Sequence, residues 1–185
     1  MHGFIHYVFW VDVTILTALL IGAVWSIAFP AKRLWPPPAS GSWQHRMTWV
    51  FFYSVFGLNA ALLFFDWNSW IFETNLRFVI GVPLALIGAL LVAWGIATLG
   101  VQNTSGVKDR FVISGPYAFT RNPQYLGDII LFVGLSIVAN SLYLWVTHLL
   151  LIIVFTVAPF AEELWLEEHY GNAYVQYKQG TSRFL

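Results

Sequence analysis

The chain has no cysteine and little charge: only 10% of its 185 residues are Asp, Glu, Lys or Arg. The first absence excludes disulfides, a thiolate nucleophile, iron–sulfur clusters and thiolate zinc sites. The second excludes an ordinary water-soluble domain, in which about 25% of residues are charged. Nine Lys and Arg balance nine Asp and Glu, so net charge gives no argument for a nucleic-acid partner. The five histidines show no metal-ligand spacing, and no metal site is expected. What is abundant is apolar: 58% of the residues are hydrophobic, including ten Trp and sixteen Phe. A globular surface could not be covered with so few polar side chains, so the surplus must face lipid.

About 20 helical residues cross a hydrocarbon core of ~30 Å. Five apolar runs approach that length: Tyr7–Phe29, Met47–Phe65, Phe78–Leu99, Pro123–Ala139 and Leu142–Pro159. Only Asn140 and Ser141 separate the last two, which predicts an antiparallel hairpin. The N-terminus has no basic stretch before its apolar run and no small-x-small cleavage site, so a cleaved signal peptide is not expected. The expected fold is all-α: an integral membrane bundle of five transmembrane helices, with a cytoplasmic C-terminal helical segment. One domain over residues 1–185 is the economical count, with spans one to three in residues 7–99.

Basic residues orient the spans. Lys32, Arg33 and Arg46 lie in the first joint, Lys108, Arg110 and Arg121 in the third, and Lys178 and Arg183 in the tail. With five spans these regions share one face, and only Arg77 is left for the other. The rule places the N-terminus outside and the C-terminus in the cytoplasm, in the inner membrane if the cell is prokaryotic.

Two polar segments stand out on the cytoplasmic face. The stretch Phe111 to Asp128 holds a Ser114-Gly115-Pro116 turn signal, then Arg121 and Asn122 ahead of Pro123, which is placed to begin a helix. A helix N-terminus beside an arginine can receive a carboxylate or phosphate. Taken alone, the stretch reads first as an interfacial loop anchored by Tyr117 and Tyr125. The second segment, from Pro159 to Lys178, alternates apolar residues with Glu162, Glu163, Glu167 and Glu168 in a loosely helical pattern. Glu162 and Glu163 follow the fifth span directly, where carboxylates are costly unless paired or bound to a ligand. The hairpin brings the two segments together.

Gly115-Pro-Tyr117, Arg121-Asn-Pro-x-Tyr125-x-Gly127, Glu162-Glu163-x-x-Leu166, Tyr170-Gly171, Tyr174-x-x-Tyr177 and Arg183 occur in this order. Together they resemble the C-terminal signature of the isoprenylcysteine carboxyl methyltransferase family, related to phospholipid methyltransferases. The resemblance covers about Gly95 to Leu185 and implies S-adenosylmethionine as cofactor, bound by the half comprising residues 100–185. By position it implies cofactor contacts at Gln102, Asp109, Arg110, Phe111, Val112, Tyr117, Asn122, Pro123, Gln124, Tyr125 and Glu162. Arg121, Glu163, Tyr174, Tyr177 and Arg183 would support them, and no catalytic residue is assigned. Asn122 stands where the isoprenylcysteine enzymes have His, which excludes acid–base work there. Ala158 stands where they have a substrate-binding Arg, which points away from a prenylcysteine carboxylate.

The resulting expectation is a multi-pass membrane methyltransferase acting on a lipophilic or small hydrophobic acceptor, with membrane lipid and no nucleic acid as partners. Two other readings compete. A nicotinamide-dependent sterol-type reductase would use Lys108, Arg110 and Arg121 for its cofactor, but the Glu162-Glu163 pair would repel that anion. A non-catalytic transporter or assembly protein would use Asp12, Asn59, Asp128 and His148 as a polar path. Against this, Asp12 and Asp128 are expected near water at their span ends, and His148 is expected to be a packing residue.

Overall fold

In lipid each backbone N–H and C=O must find its partner inside the segment, so long apolar runs fold as helices. The computed structural model describes residues 2–71, 74–106 and 110–184, and among these there is no strand. Seven α-helices follow one another: α1 (His2–Ala28), α2 (Trp43–Phe65), α3 (Leu76–Leu99), the short α4 (Val101–Thr104), α5 (Pro123–Ala139), α6 (Leu142–Tyr170) and α7 (Asn172–Gly180). Four of them, α1, α2, α3 and α6, are long and apolar enough to cross a bilayer, whereas α5 has 17 residues and is the shorter apolar helix. The protein is thus an all-helical integral membrane protein.

The helices overrun the apolar runs. α2 starts at Trp43 because Ser42 caps it, its Oγ accepting from His45 N at 3.2 Å. α6 continues through Pro159 to Tyr170 and so carries Glu162 and Glu163 on the same rigid rod as the preceding apolar turns. Proline removes a single N–H from the ladder, and the helix resumes beyond it.

Small residues set the closest packing in the molecule. Gly81, Gly88 and Gly95 recur every seven residues along one face of α3; against α5, Gly81 meets Gly134, Gly88 meets Gly127 and Gly95 meets Gln124. A Cβ on Gly88 would lie 2.3 Å from Leu131 N, and one on Gly127 would lie 2.8 Å from Gly88 O. Without a hydrophobic drive between helices in lipid, such backbone contact is what holds them together. Elsewhere larger side chains interlock, as where Leu16 of α1, Val55 of α2, Phe132 of α5 and Leu151 and Phe155 of α6 form one buried cluster. Outward faces stay apolar, with Tyr53, Phe64, Val79 and Leu90 well exposed.

Asp12 corrects an expectation. It is fully buried rather than close to water, and Asn59 Nδ2 donates to its Oδ2 at 2.7 Å. Asn59 Oδ1 in turn accepts from Thr147 Oγ1 at 2.7 Å, so α1, α2 and α6 are tied by one polar chain. It is a sealed internal network. His148 is a packing residue as expected, buried against Phe132 with its Nδ1 2.7 Å from Ser136 Oγ.

At one end of the bundle, the link between α5 and α6 is only Asn140 and Ser141. Asn140 adopts the left-handed conformation (φ 49°, ψ 49°) that asparagine tolerates, and Ser141 caps α6. Ser141 Oγ and Ser69 Oγ both donate to Asp66 Oδ2, at 2.5 and 2.9 Å. The α2–α3 joint is thereby fastened to this link. The first joint, the third joint and the tail gather at the opposite end, where Trp35 meets Glu162 and Asn122 meets Arg183.

Candidate functional site

The gathered end encloses a cavity of about 310 Å³, at the lower edge of the ~300–1,000 Å³ typical of small-molecule sites. Its polar half is built from the two segments singled out in the sequence. After α3 the chain turns at Gly115, whose φ is 59° and whose Cβ would strike the Thr98 side chain at 2.9 Å. The single turn Gly115–Ala118 that follows buries Tyr117. Gln124, in the first turn of α5, donates to Tyr117 Oη at 2.8 Å and to Thr104 Oγ1 at 3.1 Å. Tyr177 of α7 donates to Tyr117 O at 2.6 Å, and burial pushes the Tyr177 phenol up to about 12, so it stays a neutral donor. Phe111 stacks on Tyr170 with centroids 4.9 Å apart and meets the edges of Tyr174 and Tyr177.

Two glutamates adjacent in sequence do different things. Glu163 is buried beneath the site, where Arg183 grips it with Nε at 2.7 Å and Nη2 at 2.9 Å. Arg121 Nη2 lies 3.3 Å from it and Lys178 Nζ 3.6 Å. The hydrogen bond to Glu163 holds the Arg183 guanidinium above its usual pKa. The tail is stitched further by backbone: Arg121 N donates to Ser182 O at 2.9 Å, while Thr120 Oγ1 and Asn122 Nδ2 both donate to Arg183 O at 3.0 Å. Glu162 faces the cavity instead. Trp35 Nε1 donates to its Oε1 at 2.7 Å, and Tyr125 Oη donates to the same oxygen. Its Oε2 has no protein partner among the described residues.

Of the residues named from sequence, Arg110, Phe111, Val112, Tyr117, Arg121, Asn122, Gln124, Tyr125, Glu162, Tyr174 and Tyr177 line this one cavity. Pro123 is buried behind it as the first residue of α5. Glu163 and Arg183 form the ion-paired floor. Gln102 is exposed and lies off the lining, and Asp109 falls outside the described residues. Lining residues that sequence reasoning missed include Trp35 and Pro36 of the first joint and Trp49, Phe52 and Phe56 of α2. The Trp35-Pro36-Pro37-Pro38 run was visible, but nothing in it names its partner 127 residues away.

Arg121 leaves its Nε and Nη1 buried without a hydrogen-bond partner among the described residues. Buried donors without a partner are rare, and Arg121 lines the cavity, so it can answer an anionic group there. The cavity thus brings together a guanidinium with unpartnered donors, a carboxylate with one oxygen engaged and an aromatic stack, beside the apolar helices of the bundle.

The comparisons give the class of protein. Residues 76–173 match the family model for phospholipid methyltransferase. Phosphatidylethanolamine N-methyltransferase B of Dictyostelium discoideum is 30% identical over 140 residues, covering 66% of this chain and 70% of that protein. No solved structure matches. The chain belongs to the phospholipid methyltransferase family, whose members are membrane methyltransferases dependent on S-adenosylmethionine. The reductase and transporter readings find no support in these matches.

Proposed function

We propose that the protein transfers a methyl group from S-adenosylmethionine to a membrane phospholipid. The observation that carries this reading is the pairing, in one cavity, of Arg121's two unpartnered donors with the free Oε2 of Glu162. The donor carries a carboxylate, an ammonium, a ribose diol and an adenine. Arg121 suits the carboxylate, and Glu162 suits the ammonium or the diol. The Phe111–Tyr170 pair suits the flat base, with Arg110, Val112, Tyr117 and Gln124 around it. When bound, the sulfonium supplies an electrophilic methyl that needs no activation by the protein. The chain's own contribution is to hold the reactants in line and to keep water away with its aromatic walls.

The acceptor reading draws on the family and on the relative named a phosphatidylethanolamine N-methyltransferase. A lipid acceptor also accounts for an apolar second half of the cavity, walled by Trp49, Phe52, Phe56 and Phe155 and continuous with the membrane-embedded bundle. In this reading α5 is the fifth span, forming an antiparallel hairpin with α6. Its 17 residues reach about 26 Å at 1.5 Å each, enough for a thin bilayer with the polar link at the surface. The site then opens to the cytoplasm, since eight of nine basic residues lie in the first joint, the third joint and the tail. The chain is one membrane domain whose residues 100–185 carry the donor site.

Isothermal titration of the purified protein with S-adenosylmethionine tests the donor half of the proposal. Wild type should bind, and Glu162→Gln should bind about tenfold or more weakly, as for loss of a charged hydrogen-bond partner. No binding to well-folded wild type would refute it.

A further inference from the structure

The cavity holds a second carboxylate that the donor reading does not use. Asp128 is the sixth residue of α5, and it lines the cavity with Tyr125, Trp49, Phe52, Phe56 and Phe155. It has no hydrogen bond or ion pair among the described residues. Neither lining arginine pairs with it: Arg110 donates to Thr98 O at 3.1 Å, and Arg121 Nη2 lies 3.3 Å from Glu163. A carboxylate inside an apolar helix with no protein partner is expensive, and such residues mark ligand or ion pathways. The rings of the same cavity add a second, independent feature. Phe52 stacks on Phe155 with centroids 6.3 Å apart, Tyr125 lies 5.9 Å from Phe155, and Trp49 lies 6.0 Å from Phe52. Aromatic rings lining one cavity with a negative charge offer the recognition chemistry of an alkylammonium ion. Trp49 Nε1 is also buried without an acceptor among the described residues, and a phosphate oxygen on the same headgroup would satisfy it.

We propose that Asp128, in the cavity it shares with these rings, binds the ammonium of the acceptor headgroup and takes its proton, making nitrogen the atom that is methylated. The inference rests on the methyltransferase reading above and names its acceptor as an aminophospholipid. An ammonium has no lone pair and cannot attack. One proton passes from nitrogen to the Asp128 carboxylate, leaving a neutral amine and a carboxylic acid. The nitrogen lone pair forms the new N–C bond while the C–S bond breaks and its electron pair stays on sulfur. The product is a cationic methylammonium lipid, and Asp128 returns its proton to water, so each turnover releases one proton. Glu162 is less suited to this role because two donors already hold its Oε1.

The test uses the full chain in nanodiscs with short-chain phosphatidylethanolamine. Lipid binding is read from tryptophan fluorescence without donor, turnover from methylated lipid, and donor binding by calorimetry. Asp128→Asn should weaken lipid binding about tenfold, the loss of a desolvated cation's charge partner, and slow turnover by about 100-fold. It should leave donor binding within about twofold, since the carboxylate makes no hydrogen bond to a donor-half residue among the described residues, and Asp128→Glu should recover part of the lipid binding. Wild-type turnover with equal lipid binding and turnover in Asp128→Asn would overturn this inference alone. Wild type that binds donor but methylates no aminophospholipid would overturn the phospholipid reading with it. A measurement on wild type covers a variant that fails to fold. Short-chain phosphatidylcholine, a cation with no proton to give, should inhibit competitively against the amine, and absence of inhibition would contradict the ammonium site.

Discussion

The indole N–H of Trp35 donates to Glu162 Oε1 at 2.7 Å, joining a residue of the first joint to one near the end of α6. Trp35 lies outside the segment matched by the family model, so the N-terminal half contributes to the wall of the cavity. Together with Tyr125 it fixes one oxygen of the carboxylate and leaves the other for a ligand.

Trp35→Phe keeps the ring and removes this donor. A hydrogen bond to a charged acceptor is worth about 1.5–3 kcal/mol, so donor affinity should fall about tenfold. Because Trp35 positions Glu162, the loss should appear in KM for S-adenosylmethionine, with kcat changed by less than about threefold. Steady-state kinetics separate the two. An unchanged KM would show that Glu162 is held without Trp35.

Glu163 is the common partner of Arg121, Arg183 and Lys178. Glu163→Gln leaves cations beneath the site without a counter-charge, and breaking a buried pair this way costs about 3–5 kcal/mol at most. Arg183 and Lys178 are partly exposed, so a loss nearer 2 kcal/mol is expected, read as a lower melting temperature in detergent. Arg183→Ala should cost less and release the tail to proteolysis. Equal melting temperatures for Glu163→Gln and wild type would show that the tail is held by its backbone contacts alone.

Gly88→Leu should abolish folding, because no side chain fits 2.3 Å from Leu131 N. Gly57→Ala, with nothing within 4 Å of a new Cβ, should be neutral or slightly stabilising through helix propensity, by about 0.5–1 kcal/mol. Size-exclusion profiles of the two variants check the contrast.

Asn59→Leu should destabilise by several kcal/mol, since it strands the buried Asp12 and Thr147 together, whereas Asp12→Asn should be tolerated. Thermal unfolding of both variants distinguishes a structural network from a transport path. Loss of methyl transfer in well-folded Asp12→Asn would contradict a purely structural role.

The legible part of the site was local in sequence. Arg121 to Tyr125 and Glu162–Glu163 carry residue types whose chemistry can be named without coordinates, and a two-residue link between apolar runs brings them near each other. Three things were not legible. Trp35 stands in a Trp-Pro-Pro-Pro run whose composition names no partner, because Glu162 lies in a distant helix. The seven-residue spacing of Gly81, Gly88 and Gly95 is plain in the sequence, but its meaning depends on which helix faces it. Asp12 sits early in its apolar run, and hydropathy alone suggests nearby water. Its burial follows from how α1 packs against α2 and α6, which no single segment encodes.

The central claim is methyl transfer to a phospholipid at the Glu162 cavity. The most direct measurement is mass spectrometry of phosphatidylethanolamine after incubation with purified protein and S-adenosylmethionine carrying a deuterated methyl group. The account predicts that one labelled methyl appears on the headgroup with wild type and that, at donor concentrations below saturation, labelling falls about tenfold or more with Glu162→Gln. Donor binding to wild type with no labelled lipid, or equal labelling by wild type and a folded Glu162→Gln, would contradict it.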